Sequence, residues 1–334
     1  MARDTRRSPV KIGNSRLRSL AHSAVYLIAA LYWAVPYAGA QGYPTKPVRL
    51  ILSFAGGTDM VGRWLAQNLS GSLGQRVVPD PRVGAGGNIA HEATAKSPPD
   101  GYTLLMASSP IVVNPHMNPN VGYDPLRDFA PVALVASIPN VLVVHPSVPA
   151  RTLGELVRIA RSSPGKLTHG SGGIGSTNHL AAELLKLMAK IQIVHVPYKS
   201  AVIGATTGEV DIVILTASSV APIVAAGRVR PLAVLDAKRI ASMPTVPTSA
   251  EAGMTEFTAV NWYMLLAPAG TPRDIVERLN ADSAKVMMTA ETRERFAIMG
   301  GEPTARTPEQ TAEFLRTEYT RWGKVVREAG VKAE

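Results

Sequence analysis

Three glycine-containing loops carry the residues whose types and spacing could bind a small anion. They cover residues 54–59 (FAGGTD), 84–88 (GAGGN) and 170–175 (GSGGIG). Glycines let the backbone turn and let a ligand approach the main chain closely. Each loop is expected to end at the start of a helix, whose free N–H groups and dipole favour negative charge. The sequence therefore predicts a site for a small, negatively charged molecule.

The third loop matches the G-x-G-x-x-G pattern of dinucleotide-binding folds. The strand that follows ends in Lys199 rather than in the acidic residue that would hold a ribose, so an anion-binding helix start is favoured. Ser176 or Thr177 would cap that helix, and a plain glycine turn with an N-cap is the structural alternative. No Walker lysine follows the second or third loop, which argues against nucleoside triphosphates.

Ser176, His179 and Asp211 suggest a hydrolase triad at first sight. Ser176 and His179 lie three residues apart at one helix start, where the imidazole has little freedom to act as a base, and no G-x-S-x-G elbow is present. His179 is better interpreted as a hydrogen-bonding wall residue or a core histidine. His91-Glu92 lacks the second histidine of H-E-x-x-H. We therefore expect no catalytic residue, metal or cofactor, and an exported hydrolase using Ser176 and His179 is the alternative.

Three further residues have open interpretations. Asp59 is either a first-turn carboxylate favoured by the helix dipole or a group that faces the ligand. Trp262 and Tyr263 are interpreted mainly as core or hinge packing, with a place in the pocket wall as the less favoured alternative.

Composition excludes several classes of protein. With 334 residues, 46% of them hydrophobic and 18% charged, the chain is an ordinary globular protein that is long enough for two domains. It has no cysteine, which excludes disulfides, thiolate metal sites and cysteine nucleophiles. Residues 1–40 contain six Lys or Arg against one Asp, so half of the net charge of +10 lies there. The remainder has no basic run with interleaved aromatics, and no nucleic-acid partner is expected.

Residues 1–40 have the pattern of an export signal. A basic region precedes the apolar run 24–35, and Ala38-Gly39-Ala40 is an A-x-A cleavage site. The run is shorter than the ~20 residues of a spanning helix, which favours cleavage over a membrane anchor. We expect a signal peptide over residues 1–40 and a mature protein that is soluble and outside the cytoplasm.

Apolar strands alternate with helices along the rest of the chain, which is typical of an α/β protein with largely parallel sheets. Ligands of such sheets bind beyond the carboxyl ends of the strands, where the glycine loops lie. Residues 110–125 are expected to form a proline- and asparagine-rich loop. Strands are expected over 132–136 and 141–145, with Pro139-Asn140 as a hinge between them.

Several motifs resemble those of the tripartite tricarboxylate transporter substrate-binding receptors, known as the Bug family. Among them are residues 82–89 (RVGAGGNI), 194–199 (VHVPYK) and 266–272 (LAPAGTP), and the likeness runs from residue 43 to the end. The resemblance implies an α/β periplasmic binding protein of type II, a two-lobed clamshell with mainly parallel sheets. One lobe would contain residues 43–140 and 262–334, and the other residues 141–261.

In this family a small carboxylate, such as a di- or tricarboxylate, an amino acid or an aromatic acid, sits between the lobes. The resemblance implies a monomeric periplasmic receptor that delivers its ligand to the two membrane permease subunits of a tripartite transporter. A sensor that presents ligand to a signalling membrane protein is a further alternative. By position, the implied binding residues are Gly57, Thr58, Asp59, Ala85, Gly86, Asn88, Ser108, Ser109, Gly172, Ser176, Thr177, His179 and Tyr198.

The chain departs from the family pattern in three places. The first loop is shorter than usual, the segment from Ser200 to Gly208 is about three residues short, and Met264 stands where a glycine is common. A shortened first loop predicts a different ligand or a lower affinity.

Overall fold

The computed structural model describes residues 42–198 and 201–333. The expected signal peptide lies outside the described residues, as do Lys199 and Ser200, where the shortened segment begins. The strands are β1 (Val48–Leu52), β2 (Val77–Pro81), β3 (Thr103–Ala107), β4 (Phe129–Val144), β5 (Thr168–Ser171), β6 (Val194–Pro197), β7 (Ile212–Thr216), β8 (Arg230–Val234), β9 (Val260–Pro268) and β10 (Glu302–Pro303).

Helices alternate with these strands, as the sequence predicts. A 3₁₀ turn (Ala85–Gly87) precedes the second helix. The α-helices are α1 (Gly57–Leu73), α2 (Asn88–Ala95), α3 (Pro110–Met117), α4 (Leu153–Ser162), α5 (Thr177–Ala189), α6 (Ala201–Thr207), α7 (Ala217–Ala225), α8 (Arg273–Met287), α9 (Ala290–Ile298) and α10 (Pro308–Ala329). In the described part of the chain, no helix has both the length and the apolar character needed to cross a membrane.

The ten strands of residues 42–198 and 201–333 are linked by hydrogen bonds in the order β2-β1-β3-β9-β4-β7-β5-β6, with β8 and β10 also pairing with β4. The strands on either side are parallel: β1 pairs with β2 and β3, and β5 pairs with β6 and β7. Between them, β9 runs antiparallel to β3 and β4, and β4 runs antiparallel to β7. The predicted α/β class is confirmed, and two long antiparallel strands join its parallel parts.

Residues 129–144 form one continuous strand, so the prediction of two separate strands over 132–136 and 141–145 is wrong, whereas the hinge at Pro139-Asn140 stays a prediction. Up to Pro139 this strand pairs with β9, and from Asn140 onward it pairs with β7. Proline fixes φ near a value that extended backbone tolerates. Directly after it, the backbone N–H and the side-chain Nδ2 of Asn140 donate to Ala259 O at 3.1 and 3.0 Å. These bonds keep the strand continuous where the sequence indicated an interruption.

The first part of the expected loop over 110–125 is instead helix α3. Pro110 occupies the first turn, where its missing N–H is not needed. Ile111, Val112 and Val113 are fully buried, so tertiary packing stabilises a helix in spite of Pro115 in its interior. The proline and asparagine content of this segment concealed its short apolar run.

Helix α10 packs against α3, α5 and β4 and so supports the region between them. Trp322 on this helix and Trp262 on β9 are each 1% exposed. Both indole Nε1 atoms donate to the same oxygen, Glu318 Oε2, at 2.9 Å. This buried carboxylate therefore connects α10 to the centre of the sheet.

Candidate ligand-binding cavity

A cavity of about 480 Å³ lies beyond the carboxyl ends of β1, β3, β5 and β7. This is the position at which α/β sheets bind ligands. Among the residues that the structure describes along its wall, none is charged. The wall consists of Phe54, Ala55, Gly57, Thr58, Gly86, Ser108, Pro110, Asn114, Gly172, Ile174, Gly175, Ser176, Thr177, Asn178, Leu215, Thr216, Ser219, Asn261 and Tyr263.

Helix N-termini replace basic side chains in this wall. Four α-helices, α1, α3, α5 and α7, contribute residues from their first turns or caps. The first N–H groups of a helix ordinarily have no intrahelical acceptor, and the helix dipole adds partial positive charge there. Helix α3 contributes only its dipole, because Pro110 has no N–H and the N–H groups of Ile111 and Val112 donate to Ser108 O and Ser109 O. A cavity surrounded by such ends favours an anion and provides donors for its oxygens.

The first glycine loop brings the start of α1 against β9. Gly56 caps the helix with a φ of 72°, which a residue with a Cβ rarely adopts. A Cβ on Gly57 would overlap the hydroxyl of Tyr263. The absence of a side chain at Gly57 therefore allows the tyrosine hydroxyl and the helix N-terminus to share one part of the wall.

Tyr263 adds a neutral hydrogen-bond donor to that part of the wall. It is 5% exposed, and among the described residues none forms a hydrogen bond with its hydroxyl. Burial raises the pKa of this phenol to about 12, so it keeps its proton at neutral pH. The hydroxyl is available to a ligand oxygen in the cavity. The sequence pattern favoured core or hinge packing for this tyrosine, because alternation along a strand does not show which face borders a cavity.

The second glycine loop is held in place by Asn114 of α3. Its Nδ2 atom donates to Gly86 O at 2.8 Å and to Asn88 Oδ1 at 2.7 Å. Ala85, Gly86 and Gly87 all have positive φ, a run that needs external support. Asn114 both lines the cavity and orders the loop, and sequence reasoning missed it because the residue fell in the expected irregular segment.

The third glycine loop ends at Ser176, which caps α5 as one of the two residues expected there. Ser176 Oγ accepts from the N–H of His179 at 3.3 Å and donates to Gly173 O at 2.7 Å. Asp211 accepts from the backbone N–H of Thr168 at 2.8 Å rather than from a histidine. The three residues of the suggested hydrolase triad are thus each occupied elsewhere and do not form a catalytic array.

The structure brings seven of the thirteen residues implied by the resemblance into one cavity wall. These come from all three glycine loops and from the segment after β3. They are Gly57, Thr58, Gly86, Ser108, Gly172, Ser176 and Thr177.

The other six residues lie outside the wall. Asp59 Oδ2 accepts a hydrogen bond from Arg63 Nε at 2.8 Å, and Tyr198 Oη donates to Glu209 at 3.0 Å. Asn88 lies behind the second loop, as an acceptor for Asn114. The remaining three are Ala85 in the 3₁₀ turn, the buried Ser109 before α3, and the buried His179 beneath the third loop.

Several polar wall residues were not anticipated. Thr216 and Ser219 begin α7, and their hydroxyls lie 2.9 Å apart. This is a strand-to-helix junction like those before α1 and α5, but it has no glycine to indicate it. Asn261 donates to Asn140 Oδ1 at 2.9 Å, and Asn178 donates to Ile214 O. Both depend on tertiary contacts that local pattern does not reveal.

Comparison with known proteins identifies the family. Residues 61–331 match the model of the tripartite tricarboxylate transporter family receptor. BugT of Bordetella pertussis is 39% identical over 300 residues, which cover 88% of this chain and 92% of BugT.

The matches to solved structures of the same fold span nearly the whole length of those proteins. R. palustris Rpa4515, solved with adipate, is 37% identical with a TM-score of 0.77, and the match covers 87% of this chain and 99% of that protein. MatC from Rhodopseudomonas palustris, solved with bound malate, is 30% identical with a TM-score of 0.74, covering 85% and 100%. The periplasmic binding protein BugD is 28% identical with a TM-score of 0.74, covering 87% and 100%.

These matches confirm the α/β fold of a two-lobed periplasmic binding protein that the sequence predicts. The chain belongs to the tripartite tricarboxylate transporter receptor family, a family of solute-binding receptors.

Proposed function

We propose that the protein captures a small carboxylate outside the cytoplasm and delivers it to a tripartite membrane transporter. The observation that carries this proposal is the uncharged cavity wall to which α1, α3, α5 and α7 contribute their N-termini. Such ends bind anions without a basic residue. Adipate in Rpa4515 and malate in MatC support this ligand class.

The ligand class is a di- or tricarboxylate, an amino acid or an aromatic acid. One carboxylate is held by main-chain N–H groups of the glycine loops, together with hydroxyls such as those of Ser108 and Tyr263. Hydrogen bonds to a charged group contribute about 1.5–3 kcal/mol each, so a few of them are enough for specific binding. Asn88 and His179 support the second and third glycine loops from outside the wall, through Asn114 and Gly175.

Ligand binding closes two lobes, residues 43–140 with 262–334 and residues 141–261. The pairing of β4 supports this division, because its partner changes from β9 to β7 at Asn140. Asn261 Nδ2 donates to Asn140 Oδ1 at that point and lies in the cavity wall, so a ligand contact there would reach the junction directly. The closed monomer then engages the two permease subunits in the periplasm, and no cofactor takes part.

A thermal-shift panel with the protein lacking residues 1–40 tests this function. Adipate and malate are added at increasing concentrations, and the uncharged diamide of each acid is the matched control. A ligand at a hundred times its Kd adds about 2.7 kcal/mol, which corresponds to a rise in Tm of about 5 °C for a chain of this size. The acid is expected to be recovered chemically unchanged after incubation.

Two results would count against the proposal. The first is a panel of carboxylates in which none raises the Tm with saturation. The second is conversion of a carboxylate during incubation, which would indicate an enzyme rather than a receptor.

A further inference from the structure

A cluster of three histidines and one glutamate lies directly beneath the third glycine loop. We call His169, His179, His195 and Glu183 the histidine cluster. The ring centroid of His179 lies 4.1 Å from that of His195, and the ring centroid of His195 lies 4.7 Å from that of His169. His169, His179 and Glu183 are 1, 5 and 6% exposed. The cluster belongs to the interior, but it touches the cavity wall through the loop above it.

His179 holds this loop through two hydrogen bonds. Its Nδ1 atom accepts from the backbone N–H of Gly175 at 3.2 Å, and its own backbone N–H donates to Ser176 Oγ at 3.3 Å. Gly175 and Ser176 both line the cavity. His179 is the third residue of α5, the position whose side chain reaches back toward the N-terminus in a capping box. Here that side chain is one that can titrate.

The bond to Gly175 defines the protonation state of the ring. An imidazole nitrogen accepts a hydrogen bond only when it carries no proton. In the neutral ring the proton is therefore on Nε2, which lies 3.5 Å from Glu183 Oε1. Proton uptake places an N–H on Nδ1, opposite the N–H of Gly175. Two donors then face each other, and the loop has to move away from the geometry that forms the cavity wall.

The two imidazole rings next to His179, those of His169 and His195, are uncharged at neutral pH. Burial lowers the pKa of His169, and burial together with the adjacent histidines lowers the pKa of His195 to about 4, so both rings are neutral at pH 7. Burial opposes ionisation of Glu183, but Lys186 and the neighbouring imidazoles of His169 and His179 outweigh it and lower the carboxyl pKa. Lys186 Nζ lies 2.8 Å from Glu183 Oε1 and completes the set of charged groups.

We propose that His179 is a positioning residue whose unprotonated Nδ1 keeps the third glycine loop in its ligand-binding shape, so that proton uptake at this atom weakens ligand binding. The inference rests on the proposed carboxylate-receptor function and specifies how its site is regulated. Because ligand and proton binding are reciprocally linked, ligand binding at low pH releases a proton. Affinity falls by up to roughly tenfold for each pH unit below the range of proton uptake.

The test compares wild type with His179→Asn and His179→Leu by calorimetric titration of adipate from pH 8 to pH 5. The asparagine oxygen offers an acceptor near the position of Nδ1 but takes up no proton. Leucine removes the acceptor. We expect wild-type affinity to fall at least about tenfold more than that of His179→Asn over this range. His179→Leu is expected to bind at least about tenfold more weakly at pH 8 because the N–H of Gly175 loses its acceptor.

The matched control is His145→Asn. His145 Nδ1 contacts Ser147 Oγ at 2.7 Å outside the cavity wall, so this change should leave the pH profile as in wild type. Titration of adipate itself affects every protein equally. The inference is overturned if His179→Asn keeps the wild-type pH profile, or if folded His179→Leu binds at wild-type affinity at pH 8.

A ligand-free measurement separates this inference from the proposed function. Nitrogen-15 NMR of the imidazole rings should find His179 Nδ1 without a proton at pH 8. Proton uptake there should move the Gly175 amide resonance. A proton on Nδ1 at pH 8 contradicts the inference even if carboxylates bind. If no carboxylate binds, the proposed function fails, and the NMR result alone decides whether His179 controls the loop.

Discussion

Replacing Gly57 with valine is expected to weaken carboxylate binding by more than about a hundredfold while the protein remains folded. A Cβ at this position overlaps Tyr263 Oη, and the branched side chain also reaches the tyrosine ring. The start of α1 and the tyrosine hydroxyl then cannot both keep their places in the wall. A hundredfold loss corresponds to about 2.7 kcal/mol of binding free energy, within the range of an overpacked site. Calorimetric titration with adipate measures the effect, and circular dichroism checks the fold.

Two further variants show whether the overlap is the cause. Gly154→Val makes the same change in the first turn of α4, where an added Cβ meets nothing within 4 Å, and it should bind as wild type does. Combining Gly57→Val with Tyr263→Phe removes the overlapping hydroxyl and should recover part of the affinity. Wild-type affinity in folded Gly57→Val would mean that the ligand does not use this end of the cavity.

Replacing Glu318 with leucine is expected to lower the free energy of unfolding by about 4 kcal/mol. Glu318 Oε2 accepts from Trp262 Nε1 and from Trp322 Nε1, both at 2.9 Å. Without it, two buried indole N–H groups have no partner, and each such group costs about 1–3 kcal/mol. Urea denaturation monitored by tryptophan fluorescence measures the loss.

The controls for this prediction lie on the same helix. Glu318→Gln keeps an oxygen that can accept from both indoles but removes the negative charge that strengthens these bonds, and it should lose about half as much stability. Glu313→Leu removes an exposed glutamate whose side-chain partner is Arg316, at 2.7 Å, and should change stability by less than about 0.5 kcal/mol. A loss below about 1 kcal/mol in Glu318→Leu would mean that the two indoles find other partners.

Neighbouring residues of β9 contribute to different properties, some to the stability of the fold and others to ligand binding. Successive side chains of a strand point to opposite faces, so Trp262 faces α10 while Asn261 and Tyr263 face the cavity. Glu318→Leu should therefore affect unfolding far more than adipate affinity, whereas Gly57→Val should do the reverse.

Local sequence pattern predicted the structure correctly where a strand, a glycine loop and a helix follow one another. Helix α5 begins directly after the third loop, as predicted, and Ser176 is one of its two predicted caps. The first and second loops follow β1 and β2, and the third follows β5 in the other parallel part of the sheet, which runs in the opposite direction. The carboxyl ends of the two parallel parts therefore meet at one cavity from opposite sides. The chemistry of an anion site follows from this arrangement without a basic residue.

Features that depend on distant packing were not predictable from the same patterns. Asn114 supports the second loop from a helix that burial stabilises in a proline- and asparagine-rich segment. Tyr263 reaches Gly57 from a strand about two hundred residues away. Pro139 suggested a break, but Asn140 continues the strand with hydrogen bonds to Ala259. In each case a tertiary contact outweighs the local preference.

Calorimetric titration of one dicarboxylate and its uncharged diamide tests most directly whether the helix N-termini select a carboxylate. Adipate or malate is used, whichever gives the larger thermal shift. We expect saturable binding of the acid with one site per chain, and binding of the diamide that is at least about tenfold weaker, because the diamide carries no charge for the helix dipoles to stabilise. Equal affinity for the acid and the diamide would contradict a carboxylate site.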